Sequence, residues 1–161
     1  DSFPLDDPGP IAMSTQKTAQ ENLKLLNLLM ANGQGYIGFI GDKGSRFLRD
    51  RKSLSVVLSE INARGLFFMD PKTARGSVAL ELADQMQLAR AIADTTIDTQ
   101  VSAARVRAQL DTAATLSKRQ GAVAAIMQAT PNSVKVLKNW SANLDGITLA
   151  PVSSIAGRQQ S

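Results

Sequence analysis

Apolar positions along this chain follow two different periods, and the change from one to the other marks its elements. Leu54, Val57, Leu58 and Ile61 recur at i, i+3, i+4 and i+7, which sets them on one face of a helix. On either side the apolar residues run without a break, Tyr36 to Ile40 and Leu66 to Met69. Short continuous runs bounded by glycines are expected of strands buried on both faces. Asp50 is placed to cap the helix between them and Gly65 to close it. The segment from Gly35 to Asp70 therefore reads as strand, loop, helix, strand, a βαβ unit with parallel strands.

The same reading extends both ways. Asp1 to Met13 holds three prolines and no period, an irregular arm. Ser14 or Thr15 starts a helix carrying Leu25, Leu26, Leu28 and Leu29 and ending at Asn32-Gly33. Beyond Asp70, helices are expected near Val78–Met86, from Thr99 to Arg119, and from Pro131 toward Gly146. Strands are expected near Ala91–Ala93 or Thr95–Ile97, at Ala122–Gln128 and at Ile147–Ile155, with Pro151 marking the last as an edge strand or strand end. Residues 157–161 read as a frayed tail, leaving 14–156 as the folded domain. Repeated βα order predicts an α/β fold with a parallel sheet, open or an incomplete barrel. In such folds ligands sit at the carboxyl ends of strands. Chemistry is thus expected in the loops Asp42–Arg46 and Asp70–Ser77.

Composition narrows the chemistry. With 161 residues, 43% of them hydrophobic, the chain has material for a normal core. The net charge of +4 comes from 18 basic and 14 acidic residues that are scattered, and only six residues are Phe or Tyr. Nucleic acid is not an expected partner, since that would call for a basic stripe with aromatics to stack bases. No apolar run reaches the ~18 residues of a membrane span. The chain opens with neither Met nor a signal peptide and reads as a mature product or an excised segment. It contains no cysteine and no histidine. That removes disulfides, thiolate catalysis, Cys-based zinc sites and the commonest general base and metal ligand. Absence of cysteine suits a periplasmic or secreted protein.

Several motifs together resemble one family. DPGP at Asp7–Pro10, GSRF at Gly44–Phe47, RGLFFMD at Arg64–Asp70 and APVSSI at Ala150–Ile155 resemble the divergent polysaccharide deacetylases of bacteria, in the right order and with compatible spacing. The resemblance implies an irregular (β/α) barrel of polysaccharide-deacetylase type, incomplete here, because the family's earlier strands, one ending in an Asp-Asp pair of the metal site, have no counterpart. It implies a carbohydrate or cell-envelope polysaccharide as substrate or partner. It also implies a hydrolysis in which a divalent, zinc-like metal held by an Asp and two His activates water. Members typically carry His where this chain has Asp42 and Gln128, so a metal is expected only if that site is partly retained, and no resident cofactor otherwise. Carried over by motif, Asp42 and Asp70 are the candidate catalytic residues. Ser45, Arg46, Lys72, Thr73 and Gln128 are candidate substrate-binding residues. The expected activity is a metal-dependent carbohydrate deacetylase degenerate at its metal site. The alternative is a non-catalytic glycan- or protein-binding scaffold.

Each candidate also has a plainer reading. Asp42 suits a turn that bonds its own backbone. Arg46 can pair with Asp50 or Asp70. Asp70 can act as a cap or pair with Lys72 or Arg75. Asp94 and Asp98 read as structural carboxylates, Asp98 as the cap of the long helix, and Trp140 as core beside Leu137 and Leu144.

Overall fold

The computed structural model of the chain describes residues 11–13, 17–32, 35–41, 46–72 and 74–156. These form two compact units. The first comprises Asp1–Ile92 and Pro151–Ser161, and the second Ala93–Ala150.

In the first unit β1 (Ile11–Met13), β2 (Gly38–Gly41), β3 (Phe67–Asp70) and β4 (Arg90–Ile92) form a parallel sheet in the order β1-β2-β3-β4. Helix α1 (Ala19–Asn32) joins β1 to β2. A 3-10 turn (Phe47–Arg49) and α2 (Arg51–Ala63) join β2 to β3, and α3 (Ala79–Gln85) joins β3 to β4. The expected βαβ unit is thus present, with Phe39 beside Phe68 in parallel register. Strand neighbours follow chain order without reversal, so the loops after successive strands emerge along one edge.

Helix α2 shows how local sequence and packing agree. The Asp50 carboxylate accepts from Ser53 N at 3.2 Å and Ser53 Oγ at 2.6 Å, satisfying the first turn. At the other end Gly65 takes φ +67°, Leu66 N donates to Ile61 O at 3.1 Å, and Gly65 N to Asn62 O at 2.9 Å. This pair of bonds needs a left-handed residue, which glycine supplies without a Cβ clash. Leu54, Val57, Leu58 and Ile61 are fully buried with Phe39, Leu48 and Phe68. Each such side chain contributes about 1.5–3 kcal/mol through removal from water. Packing therefore decides α2, because 13 residues of helix are marginal alone.

Strand β3 is buried at all four positions, as befits a parallel strand covered by helices. Helices α2, α3 and the short α6 (Ser153–Ala156) all pack against it.

The second unit holds β5 (Thr95–Ile97) and β6 (Ala125–Met127), paired in parallel, with α4 (Ala103–Gln120) and α5 (Pro131–Ser141). Ser102 caps α4, and Gly121 ends it at φ +84°. Thr130 and Ser133 form a reciprocal capping box for α5, with Pro131 at the first helical position. Ile97, Val106, Leu110 and Trp140 make this unit's core.

Several expectations are corrected. Both short candidates near residue 92 are strands, β4 and β5. The arm contains β1, three residues that owe their extended form to pairing with β2. Residues 1–10 and 157–161, and the expected caps Ser14 and Thr15, lie outside the described residues. Helix α1 begins at Ala19, where Thr18 N donates to Glu21 Oε2 at 2.7 Å and Glu21 N to Thr18 Oγ1 at 3.3 Å. Helix α4 begins four residues after Thr99 under Ser102, while Asp98 instead accepts from Gln100 N at 2.9 Å. Helix α5 stops at Ser141, short of Gly146. No strand forms at Ile147–Ile155. Residues 147–150 are irregular and α6 follows, because Pro151 O accepts from Ser154 N at 3.0 Å and Ser154 Oγ at 2.7 Å, turning the chain into a helix.

Candidate functional site

Two βα loops meet at the carboxyl end of the β2–β3 pair. The strands are parallel neighbours, so the chain leaves both at the same end. Val78 N donates to Leu48 O at 2.8 Å and ties the loops together. Arg46 opens the first loop's 3-10 turn, and its carbonyl accepts from Arg49 N and Asp50 N, each at 3.0 Å.

Asp70 ends β3 and is only 2% exposed. Its Oδ1 accepts from Lys72 N at 2.7 Å and its Oδ2 from Ser77 Oγ at 2.9 Å. Ser77 Oγ in turn accepts from Ala79 N, the first residue of α3, at 3.2 Å. One carboxylate thereby fixes both ends of the 71–77 loop. It also holds Lys72 at φ +56°, a left-handed conformation that non-glycine residues rarely adopt. Of the plainer readings of Asp70, cap or ion pair, no ion pair with Lys72 or Arg75 forms; its partners are the Lys72 backbone and the Ser77 hydroxyl.

Arg46 and Lys72 are exposed. Neither of the ion pairs considered for Arg46 forms. Asp50 spends its carboxylate on Ser53, which together with the Ser53 and Lys52 amides keeps it below the ordinary carboxylate value, and Asp70 spends its own as described. The structure thus brings Arg46, Asp70 and Lys72 to one end of one unit. Asp42, Ser45 and Thr73 lie outside the described residues. Gln128 belongs to the second unit, where it follows β6 and is exposed; its described contact is its carbonyl, which accepts from Ser133 Oγ at 2.7 Å.

The other carboxylates and the aromatic weighed earlier take structural work. Asp94 Oδ2 accepts from Ala124 N at 2.8 Å, beside the β5–β6 pair. Trp140 is 7% exposed and donates from Nε1 to Asp111 Oδ1 at 2.8 Å. It is core, as expected.

The sequence reading named Arg75 only as a partner for Asp70, and gave Ser77 and Arg49 no role of their own. Ser77 carried a usable signal, a hydroxyl after glycine and just before a helix. Arg49 and Arg75 carried none by spacing, because only the fold sets the 3-10 turn beside the second loop. A Cβ added to Gly76 would stand 3.9 Å from Arg49 Cδ.

The donor set does not fit a zinc-type centre. The chain has no His or Cys, and no three Asp or Glu gather among the described residues. Both oxygens of Asp70 are already bonded. Zinc sites draw on imidazole or thiolate, and carboxylate and amide oxygens alone are poor competitors.

No curated protein matches the sequence. Among solved structures the chain is similar to the uncharacterized protein ATU2773 from Agrobacterium tumefaciens C58, with a TM-score of 0.80 and 27% identity. The match covers 96% of this chain and 63% of that one, so the chain spans under two thirds of that structure's length. The family described as divergent polysaccharide deacetylase matches residues 1–156. The chain, with its parallel βα units, belongs to the divergent polysaccharide deacetylase family.

Proposed function

We propose that this chain is a carbohydrate-binding member of its family, working on polysaccharide of the bacterial envelope, in the periplasm or outside the cell. In this reading the chain by itself binds glycan without removing acyl groups by the metal route. Family membership over residues 1–156 carries the proposal. The chemistry of the site shapes it. Metal-assisted hydrolysis needs ligands that lower the pKa of bound water to about 7, and this chain offers no imidazole to hold such an ion. Its described carboxylate at the strand ends, Asp70, is engaged in holding a loop.

The test is acetate release from acetylated glucosamine oligomers, with zinc, cobalt or nickel added, alongside binding of the same oligomers by calorimetry. Binding without turnover is the expected result. Metal-dependent turnover abolished by Asp42→Ala overturns the reading and restores a deacetylase.

A further inference from the structure

Four basic side chains share the end where the two βα loops meet. Arg46 precedes the 3-10 turn and Arg49 ends it, and Lys72 and Arg75 lie on the loop after β3; all four are exposed. The Val78–Leu48 hydrogen bond joins the loops, and Arg49 runs its stem past Gly76. Elsewhere in the same unit the other described arginines are matched by acids, Arg51 by Glu81, Arg64 by Glu60 and Arg90 by Asp84. The four at the strand ends form no ion pair among the described residues. The nearest carboxylates along the chain are turned to other work, Asp50 to the cap of α2 and Asp70 to the loop beneath. Lys72 moreover keeps a long cationic side chain at a left-handed position that glycine fills with less strain.

We infer that this surface binds an acidic glycan, one bearing carboxylates along its strand. The inference rests on the carbohydrate-binding reading above and names the class of glycan. Arginine presents a planar fork of donors that matches a carboxylate in two parallel hydrogen bonds, so three arginines and a lysine suit repeated carboxylates. The aromatic residues argue the same way. Phe39, Phe47, Phe67, Phe68 and Trp140 are buried and Tyr36 is half-buried, so the described residues offer no exposed ring. A neutral sugar face or a nucleic-acid base would seek such a ring, whereas an acidic strand is held by charge.

The experiment measures binding of a galacturonic acid oligomer to the full chain, against a neutral dextran oligomer of equal length. Binding of the acidic oligomer that weakens as salt rises is expected, with dextran much weaker. Arg46→Gln/Arg75→Gln is expected to weaken it by roughly tenfold or more, through loss of two charge-assisted contacts. Lys17→Gln/Lys24→Gln, which removes the same charge from the region of α1, is expected to change it less than about twofold, the range of generic surface charge. Lys72→Gly is expected to keep the thermal midpoint or raise it while weakening binding, which separates the role of the side chain from misfolding. Equal losses in both double variants overturn the inference. So does tighter, equally variant-sensitive binding of duplex DNA or of phosphatidylglycerol vesicles. Binding of acetylated glucosamine oligomers, but not of the acidic oligomer, overturns this inference and leaves the carbohydrate-binding reading standing; binding of no glycan removes both.

Discussion

Replacing Asp70 by asparagine keeps the shape of the side chain and one acceptor. The Ser77 hydroxyl can turn to accept from the new amide while the remaining oxygen keeps Lys72 N. Asp70→Asn is therefore expected to cost about 1 kcal/mol, and Asp70→Ala about 2 kcal/mol, because alanine leaves a part-buried N–H and hydroxyl without their partner. Urea unfolding of the two variants checks the order; equal losses would show that the carboxylate charge, not its two acceptors, matters. Gly38 sets a second condition. A Cβ there would lie 2.5 Å from Phe67 Cδ1 and Cε1 and 2.7 Å from Phe67 O. The ring is buried and the carbonyl belongs to the neighbouring strand, so neither gives way easily. Gly38→Ala is expected to lose about 1–3 kcal/mol, the range for overpacking, read from the same unfolding curves.

At the scale of elements, helix α2 carries a pH signature. Hydrogen bonds from Ser53, side chain first, hold the Asp50 carboxyl below its ordinary value of 3.8. Its folded value is depressed, so its stabilising contribution is complete above the unfolded value and is lost as pH falls through the lower folded one. Asp50→Ala should thus lower the thermal midpoint at pH 6, and the gap from the parent should shrink between pH 4 and 2. A gap that stays constant would mean that the backbone, not the carboxylate, caps this helix. The same element shows what sequence makes legible. Cap, amphipathic face and closing glycine all agree in α2, and its β-strand neighbours are continuous apolar runs, so local and tertiary preferences point one way. They disagree at Ile147–Ile155. Its apolar run suggested a strand, yet a strand exists only with a ladder partner; Leu149 is 39% exposed and Pro151 turns the chain. Strand β1 is the converse, unreadable locally and made by its partner. The site divides likewise. Asp70 and Lys72 were visible at the end of a strand, but their bond, and Arg49 beside Gly76, depend on how two loops meet.

For the molecule as a whole, the chain returns to the first unit after Ala150, and α6 packs on β3 and β4 with Ala156 buried. Removing 151–161 is expected to speed amide hydrogen exchange in Arg90–Ile92 and to spare the α4 amides, whose core of Ile97, Val106, Leu110 and Trp140 lies within 93–150. Equal acceleration in both places would contradict this division. The interrupted first unit also sets a timetable for synthesis. Its last piece is translated only after the whole of 93–150, a delay of roughly 3–12 s at ribosomal speeds of ~5–20 residues per second. The wait is the making of the second unit itself, whose core needs Trp140 near its end, so β4 emerges early and its cover late. For several seconds on every ribosome the growing chain therefore carries a sheet without its last cover, and that interval is when a chaperone would have something to hold.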